Sequence, residues 1–162
     1  MTMLMTEEQR MATDGLRKVL DAEIEPKLRA HGEKSIPKEM MKGFIKTLTE
    51  YGLIRAPFPE HWGGLEMDWV THLRLWEEVG VSALDLALPI LINVSGADML
   101  IRNASDSVKD KYVPGILSGE IIVSMGISEP DVGSDVAAAK TRAVRDGDHW
   151  VINGEKTWIS NG

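Results

Sequence analysis

Two short segments near the end of the chain carry the residue types that could do chemistry. The first, Ser128-Glu-Pro-Asp-Val-Gly-Ser-Asp135, follows an apolar stretch and places Ser134 beside Gly133 in a turn. Gly133 can take a positive φ and lets the backbone approach a ligand closely, and the amides of such a turn can form an anion-binding concavity. The hydroxyl and N–H of Ser134 would suit a pyrophosphate oxygen. An ordinary β-turn, formed by Pro130 and Gly133, accounts for the same residues.

The second segment, Asn153–Gly162, carries a large aromatic residue and a hydroxyl two positions apart. In a strand, Trp158 and Ser160 project from one face while Ile159 projects from the other. A hydroxyl beside the edge of an aromatic ligand can donate a hydrogen bond to a ring nitrogen. The pair therefore suits a flat heteroaromatic ring such as a flavin. A strand that buries Trp158 in the core is the alternative.

The remaining titratable residues form no pattern typical of a catalytic or metal site. Cysteine is absent, which excludes disulfides, thiolate metal sites and thiol nucleophiles. No serine stands in a local pattern with a base and an orienting residue. The histidines are scattered without metal-ligand spacing: His31, His61, His72 and His149. The sequence therefore predicts no metal site and nominates no catalytic residue.

Charge and hydropathy argue against several other classes of protein. The net charge is −7 and no basic run stands out, which argues against nucleic-acid binding. The N-terminal segment Met1–Glu8 lacks the basic flank and long apolar core of a signal peptide. The stretch Ala83–Ile101 is apolar, but Asp85, Pro89 and Asp98 within it favour a central buried helix over a membrane span. We therefore expect a cytoplasmic protein without a membrane span.

Residues 1–120 are patterned as the helices that must position the two segments. The capping box Thr6-Glu-Glu-Gln9 begins the first helix, whose apolar stripe continues until a break near Gly32. The second helix is predicted from Ser35-Ile-Pro37 to Gly52, with Pro37 in its first turn. The third is predicted from Asp68 to Gly80 and the fourth from Ser82 to about Arg102. A short helix is predicted around Ser105–Leu117, with an interruption at Pro114. The helix after Ser82 is apolar nearly all round, which is typical of the middle of a bundle.

After Gly119 the pattern changes to β-branched residues with a period of two. The predicted strands are Ile121–Ile127 (buried), Lys140–Arg145, Trp150–Ile152 and Lys156–Ile159, with turns at Asp146-Gly-Asp148 and Asn153-Gly154. Two or three strand pairs cannot build an independent core. We therefore expect an α+β fold, in which an all-α helical bundle over residues 1–120 precedes the first strands of an antiparallel β domain over residues 121–162. The chain would then be part of a longer protein.

Seven segments stand in a characteristic order along the chain: Thr6-Glu-Glu-Gln9, Tyr51-Gly-Leu53, Pro59-Glu-His-Trp-Gly-Gly-Leu65, Glu77-Glu-Val-Gly80, Gly119-Glu120, Ser128-Glu-Pro130 with Gly133-Ser-Asp135, and Asn153-Gly-Glu-Lys-Thr-Trp-Ile-Ser-Asn-Gly162. In this order they resemble the acyl-CoA dehydrogenase family along nearly the whole chain. The resemblance implies an N-terminal helical bundle, a central β domain and a C-terminal helical bundle. This chain would supply the first of these and the start of the second.

The resemblance also implies an FAD site and its residues. FAD would be lined by Met125, Gly126, Ile127, Ser128, Gly133 and Ser134, and covered at its isoalloxazine ring by Trp158, Ile159 and Ser160. Ser134 would also lie beside the acyl-CoA substrate, and the Ser160 hydroxyl near flavin N5. The family commonly has threonine where this chain has Ser128 and Ser160, but serine keeps the hydroxyl donor. Asp131 fits beside a pyrophosphate only if its carboxylate points to solvent.

The chemistry implied by the resemblance is α,β-dehydrogenation of an acyl-CoA thioester to the 2-enoyl-CoA, with hydride transfer to FAD. The catalytic base of the family lies outside this segment, so the chain is expected to hold no catalytic residue. The implied setting is fatty acid metabolism, with electron-transfer flavoprotein as acceptor and a homotetramer or homodimer as the full-length assembly. The alternatives are an acyl-CoA oxidase or a flavin-dependent monooxygenase of the same fold, or a non-catalytic helical interaction module.

Overall fold

The computed structural model describes residues 5–162, which divide after Val123 into two compact units. The first unit is helical, and the second contains a two-stranded antiparallel sheet. This order of elements confirms the predicted α+β class. The first four residues, part of the segment predicted to lack signal-peptide features, lie outside the described residues.

The described part of the first unit contains six α-helices: α1 Glu7–Val19, α2 Glu25–His31, α3 Lys38–Glu50, α4 Trp69–Ser82, α5 Leu84–Asn103 and α6 Asp106–Leu117. Both predicted side-chain caps are confirmed. Thr6 Oγ1 accepts from the N–H of Gln9 at 3.1 Å, and Gln9 Oε1 accepts from the N–H of Thr6 at 3.1 Å. Asp68 Oδ1 accepts from the N–H groups of the second and third residues of α4. Each cap pairs first-turn N–H groups that have no partner within the helix.

A π-helical turn, Leu20–Ile24, separates α1 from α2 and was not predicted. Within it the N–H of Glu25 donates to the carbonyl of Leu20, five residues back. Pro26 follows at once and has no N–H with which to form the next four-residue bond. The wide turn therefore sits where proline removes a donor.

Three predicted helix boundaries are also revised. Pro37 is the N-cap residue, just before the first turn of α3, instead of lying within that turn. Gly80 lies inside α4, which continues to Ser82. Pro114 lies inside α6 without ending it, and the helix closes at Leu117. At Gly80 and Pro114, packing against neighbouring helices outweighs the local helix breaker, since intrinsic propensity is only a weak prior.

Aliphatic side chains from five of the helices and from the π-turn meet in one core. Its largest fully buried members include Leu16, Leu20, Ile24, Ile45, Leu48, Leu75, Leu86, Ile90, Ile116 and Leu117. Polar contacts also join α1 to α4: Gln9 Nε2 donates to Thr71 Oγ1 at 3.2 Å, and Arg17 Nε donates to Glu78 Oε2 at 2.8 Å. The predicted helical bundle is thus confirmed.

The prediction of a central buried helix is confirmed for only one face of α5. One face of α5 is in the core, including Leu86, Ile90 and Asn93. The opposite face exposes leucines, of which Leu84 is 71% and Leu88 is 53% accessible. By length and composition α5 is the one helix in the described residues that could cross a membrane, although a core helix passes the same test.

The sheet of the second unit pairs β1, Arg142–Asp146, with β2, His149–Asn153, in the register Arg142↔Asn153 to Asp146↔His149. The connecting loop is Gly147-Asp148, and Gly147 has a φ of 57°. Glycine at the first position of a two-residue hairpin loop is typical of a type II′ turn. The predicted strand pair and its turn are therefore confirmed.

The other two predicted strands are wrong, because neither Ile121–Ile127 nor Lys156–Ile159 pairs as a strand in the described structure. The backbone of residues 121–123 instead bonds to the helical unit, where the N–H of Ile121 donates to the carbonyl of Gly115. The later segment is broken by Trp158, whose φ of 56° is left-handed. Asn153-Gly154 forms no hairpin, since β2 ends there.

Candidate functional site

The second unit brings two parts of the predicted site side by side. The N–H of Thr157 donates to the carbonyl of Ser128 at 2.9 Å. Lys156 Nζ donates to the carbonyl of Ile127 at 3.0 Å. A Cβ added at Gly126 would lie 3.2 Å from Cγ of Lys156 and 3.6 Å from Cδ1 of Ile159. The stretch Gly126–Ser128 therefore packs directly on the stretch that leads into Trp158–Ser160.

The turn before Gly133 and Ser134 is closed by Glu129 and Val132. The N–H of Glu129 donates to the carbonyl of Val132 at 2.9 Å, and the reverse bond is 3.1 Å. Pro130 and its neighbour occupy the centre of this turn, where the fixed φ of proline fits. Gly133 does not adopt the positive φ that glycine allows. A Cβ at Gly133 would nevertheless meet nothing within 4 Å, so this backbone is open to a ligand.

Asp131 meets the condition that its carboxylate points to solvent. Its side chain is 75% exposed, and Oδ2 accepts from Lys140 Nζ at 2.9 Å. The hydrogen bond to Asp131 raises the pKa of Lys140. A cation therefore compensates the Asp131 carboxylate, so this carboxylate does not exclude an anion from the turn.

Glu129 is the buried anchor of the second unit. The residue is only 7% exposed. Its Oε2 accepts from the N–H of Lys140 at 2.7 Å, while Oε1 accepts from the N–H of Thr141 and from Lys156 Nζ, each at 2.9 Å. These bonds, the one from the Lys140 N–H above all, hold the pKa of Glu129 well below its usual range. Glu129 is thus a permanent carboxylate and is unsuited to act as a general base near neutral pH.

The residues predicted to cover the flavin ring are accessible. Trp158 is 92% exposed, so it is not the core tryptophan of the alternative interpretation. Ile159 is also exposed, and Ser160 is partly buried. The prediction that Trp158 and Ser160 share one strand face is wrong, because the left-handed conformation of Trp158 breaks the alternation. The exposed indole is nevertheless a surface on which a flat ring can stack.

A second candidate site, which the sequence analysis missed, lies in the helical unit. A cavity of about 530 Å³ between α4 and α5 is lined mainly by apolar side chains, among them Trp69, Leu73, Trp76, Leu91 and Met99. The spacing of the three α4 residues at i, i+4 and i+7 was a signal, because it puts them on one helix face. A cavity of this size and polarity can take an apolar ligand group.

His72 lines the same cavity and is buried. Its Nε2 lies 3.0 Å from the carbonyl of Leu53 and 2.9 Å from Nε1 of Trp76, which donates to it. Burial lowers the pKa of His72. The ring is therefore neutral at physiological pH and contributes a polar edge to the cavity without a charge.

The comparisons with known proteins agree with these features. Residues 6–120 match the acyl-CoA dehydrogenase N-terminal domain, and residues 124–162 match the middle domain of the same family. The cyclohex-1-ene-1-carbonyl-CoA dehydrogenase of Geobacter metallireducens is 36% identical over 160 residues, which are 98% of this chain and 41% of that protein.

Solved structures show the same fold. Glutaryl-CoA dehydrogenase from Mycobacterium smegmatis superposes with a TM-score of 0.87 at 29% identity, over 98% of this chain and 41% of that one. A glutaryl-CoA dehydrogenase from the same organism in complex with FADH2 gives a TM-score of 0.88 at 24% identity, over 97% and 40% of the two chains, which shows the fold alone. The chain thus spans about two-fifths of the length of these relatives. It belongs to the acyl-CoA dehydrogenase family.

Proposed function

We propose that this chain is the N-terminal part of an FAD-dependent enzyme that dehydrogenates an acyl-CoA thioester to the 2-enoyl-CoA. The observation that carries the proposal is the pairing of Gly126–Ser128 with Lys156–Thr157, which holds two predicted flavin-binding segments together. Family membership supports it, as do the relatives named for acyl-CoA dehydrogenation.

The residues present fit FAD. Gly133 leaves its backbone open, and the exposed Ser134 offers a hydroxyl and an N–H to a pyrophosphate oxygen or to the acyl-CoA. Trp158 offers an exposed ring, and Ser160 a hydroxyl donor for the flavin edge. When bound, FAD would accept the hydride that leaves the acyl chain. The protein residues named here would bind and orient it, while the base that removes the α-proton is expected to lie outside this chain.

The cavity between α4 and α5 would receive the apolar part of the acyl group. Its lining supports this, because the exposed surface of the cavity is mainly apolar. Leu91→Trp would fill part of the cavity, and we expect it to lower kcat/KM more for long acyl-CoAs than for short ones. Leu84→Trp is the matched control, since Leu84 lies on the same helix, is exposed and does not line the cavity. Equal chain-length profiles for the two variants would contradict this assignment.

The setting of the enzyme is likewise a proposal. We infer a cytoplasmic enzyme of fatty acid metabolism that passes its electrons to electron-transfer flavoprotein and assembles as a homotetramer or homodimer. The net charge of −7 is compatible with an acidic soluble protein. Size-exclusion chromatography with light scattering tests the assembly, and anaerobic turnover with purified electron-transfer flavoprotein tests the acceptor.

The full-length protein tests the proposal directly. We expect it to copurify with FAD and to bleach in its flavin bands when an acyl-CoA is added under anaerobic conditions. Rapid reoxidation by oxygen with release of hydrogen peroxide would indicate an acyl-CoA oxidase, and oxygen insertion into a substrate would indicate a monooxygenase. A protein without flavin absorbance, even after reconstitution with FAD, would leave the helical interaction module as the better interpretation.

A further inference from the structure

The second unit contains a charge pair between a buried glutamate and a partly buried lysine. The side chains of Lys156 and Glu129 are 25% and 5% exposed, and Nζ and Oε1 are 2.9 Å apart. Lys156 Nζ also donates to the carbonyl of Ile127 at 3.0 Å. The ammonium group therefore joins a side-chain acceptor and a backbone acceptor at once, which its three N–H donors allow.

The same carboxylate ties together parts of the chain that are far apart in sequence. Glu129 precedes the turn that presents Gly133 and Ser134, and it accepts the N–H groups of Lys140 and Thr141 just before β1. Through Lys156 it reaches the segment that carries Trp158. Two stretches of the proposed flavin site and the residues just before β1 are thus fixed to one side chain.

A buried ion pair adds little to the free energy of unfolding, because the cost of removing two charges from water offsets most of their attraction. An apolar pair of similar volume would pack as well but could not accept two backbone N–H groups or donate to a carbonyl. The pair specifies geometry more than it adds stability. The geometry that it specifies is the distance between the Ile127–Ser128 stretch and Thr157.

We propose that Glu129 and Lys156 are positioning residues of the flavin site, which hold the two flavin-facing segments at the spacing that the cofactor requires. The inference rests on the proposed function. It assigns neither residue to contact with the flavin. Its consequence is that loss of the pair changes how FAD is held, even in a protein that remains folded.

The experiment compares Glu129→Gln with Asp131→Asn in the full-length protein. Both changes remove one carboxylate charge from the same turn, but the Asp131 carboxylate is exposed and accepts only from the exposed Lys140 ammonium. In Glu129→Gln the new amide N–H₂ faces backbone N–H donors, and Lys156 loses its counter-charge. We expect at least about tenfold weaker FAD binding for Glu129→Gln and less than about twofold for Asp131→Asn, the larger change corresponding to the loss of about one charged hydrogen bond.

The flavin spectrum separates positioning from general destabilisation. With saturating FAD, Glu129→Gln should have an altered visible circular dichroism band and a lower kcat, whereas Asp131→Asn should match the wild type. The inference would be overturned if Glu129→Gln had the FAD affinity and flavin spectrum of the wild type. It would also be overturned if Glu129→Gln bound FAD more weakly but had the wild-type flavin spectrum and kcat with saturating FAD. A wild-type protein that binds no FAD would instead refute the proposed function.

Variants of the lysine keep the inference testable if Glu129→Gln does not fold. Lys156→Met removes the ammonium and should reproduce the altered spectrum, while Lys156→Arg keeps the charge and donors and should restore much of the wild-type spectrum. The double variant Glu129→Gln/Lys156→Met should bind FAD about as weakly as the weaker single variant, since the two residues act as one unit. Additive losses, or no difference between Met and Arg at residue 156, would overturn the inference.

Discussion

Replacement of Asn93 by leucine should loosen the segment that leads into the second unit. Asn93 is fully buried on α5. Its Nδ2 donates to the carbonyl of Ile121 at 3.1 Å, and its Oδ1 accepts from the N–H of Val123 at 2.8 Å. Leucine has nearly the same shape but can make neither bond. Each bond contributes about 1 kcal/mol net, so the pair contributes about 2 kcal/mol.

The close packing of residues 121–123 on α5 supports the full loss of about 2 kcal/mol. A Cβ added at Gly96 would lie 2.6 Å from Cγ1 of Val123, so the segment sits directly on α5 and leaves little room for a replacing water. A loss of about 2 kcal/mol corresponds to about a 30-fold change in the local opening equilibrium. We therefore expect the amide of Val123 to exchange with deuterium about 30-fold faster in Asn93→Leu.

Hydrogen exchange read by mass spectrometry on peptides that span residues 119–127 measures this change. Asn103→Leu is the matched control, because Asn103 lies on the same helix but is exposed and bonds only within α5, to the carbonyl of Met99. The control should leave exchange at residues 119–127 unchanged. If Asn93→Leu exchanges no faster than Asn103→Leu, then the side chain of Asn93 does not anchor this segment and the reasoning fails.

Three further results are expected. Ser134→Ala should weaken FAD binding more than Ser124→Ala, by about tenfold or more, because a bond to a charged phosphate contributes about 1.5–3 kcal/mol; equal flavin affinities would contradict the assignment of Ser134. Residues 1–162 alone should bind FAD poorly, since the β1–β2 sheet is exposed along its length. They should also not turn over acyl-CoA with an artificial electron acceptor. Turnover would show that the catalytic base lies within residues 1–162. Burial lowers the pKa of His72 from its ordinary value of 6.5, so the unfolded state binds more protons than the folded state below pH 6.5. The Tm of the wild-type protein should therefore fall as the pH is lowered from 7.5 to 5.5. The Tm of His72→Gln should fall less over the same range.

The helices could be predicted because their signals are local. The Thr6–Gln9 capping box and the Asp68 cap each involve residues within three positions of one another, and both form as predicted. The errors at Gly80 and Pro114 have the opposite origin. Those residues are poor helix formers in isolation, but the helices that contain them are held by packing against the core.

The β region was harder to predict because its backbone partners come from distant residues. An apolar, β-branched run at Ile121–Ile127 has the pattern of a strand, but its first residues bond to Asn93 and Gly115 of the helical unit. In the last segment, alternation cannot indicate that Trp158 adopts a left-handed conformation. Only the β1–β2 hairpin has its turn signal between its own strands, and it alone was predicted correctly.

In the candidate site, residues that would contact the ligand could be predicted from the sequence, whereas a residue that holds the backbone in place could not. Residues that would touch the flavin, such as Ser134 and Trp158, stand out in the sequence because their side chains are suited to a ligand. Glu129 does not stand out, since its partners lie 11, 12 and 27 positions along the chain and two of them are backbone N–H groups. A carboxylate that serves backbone amides leaves no side-chain pattern in the sequence. The residues that fix the geometry of this site therefore become visible only once the fold brings their partners together.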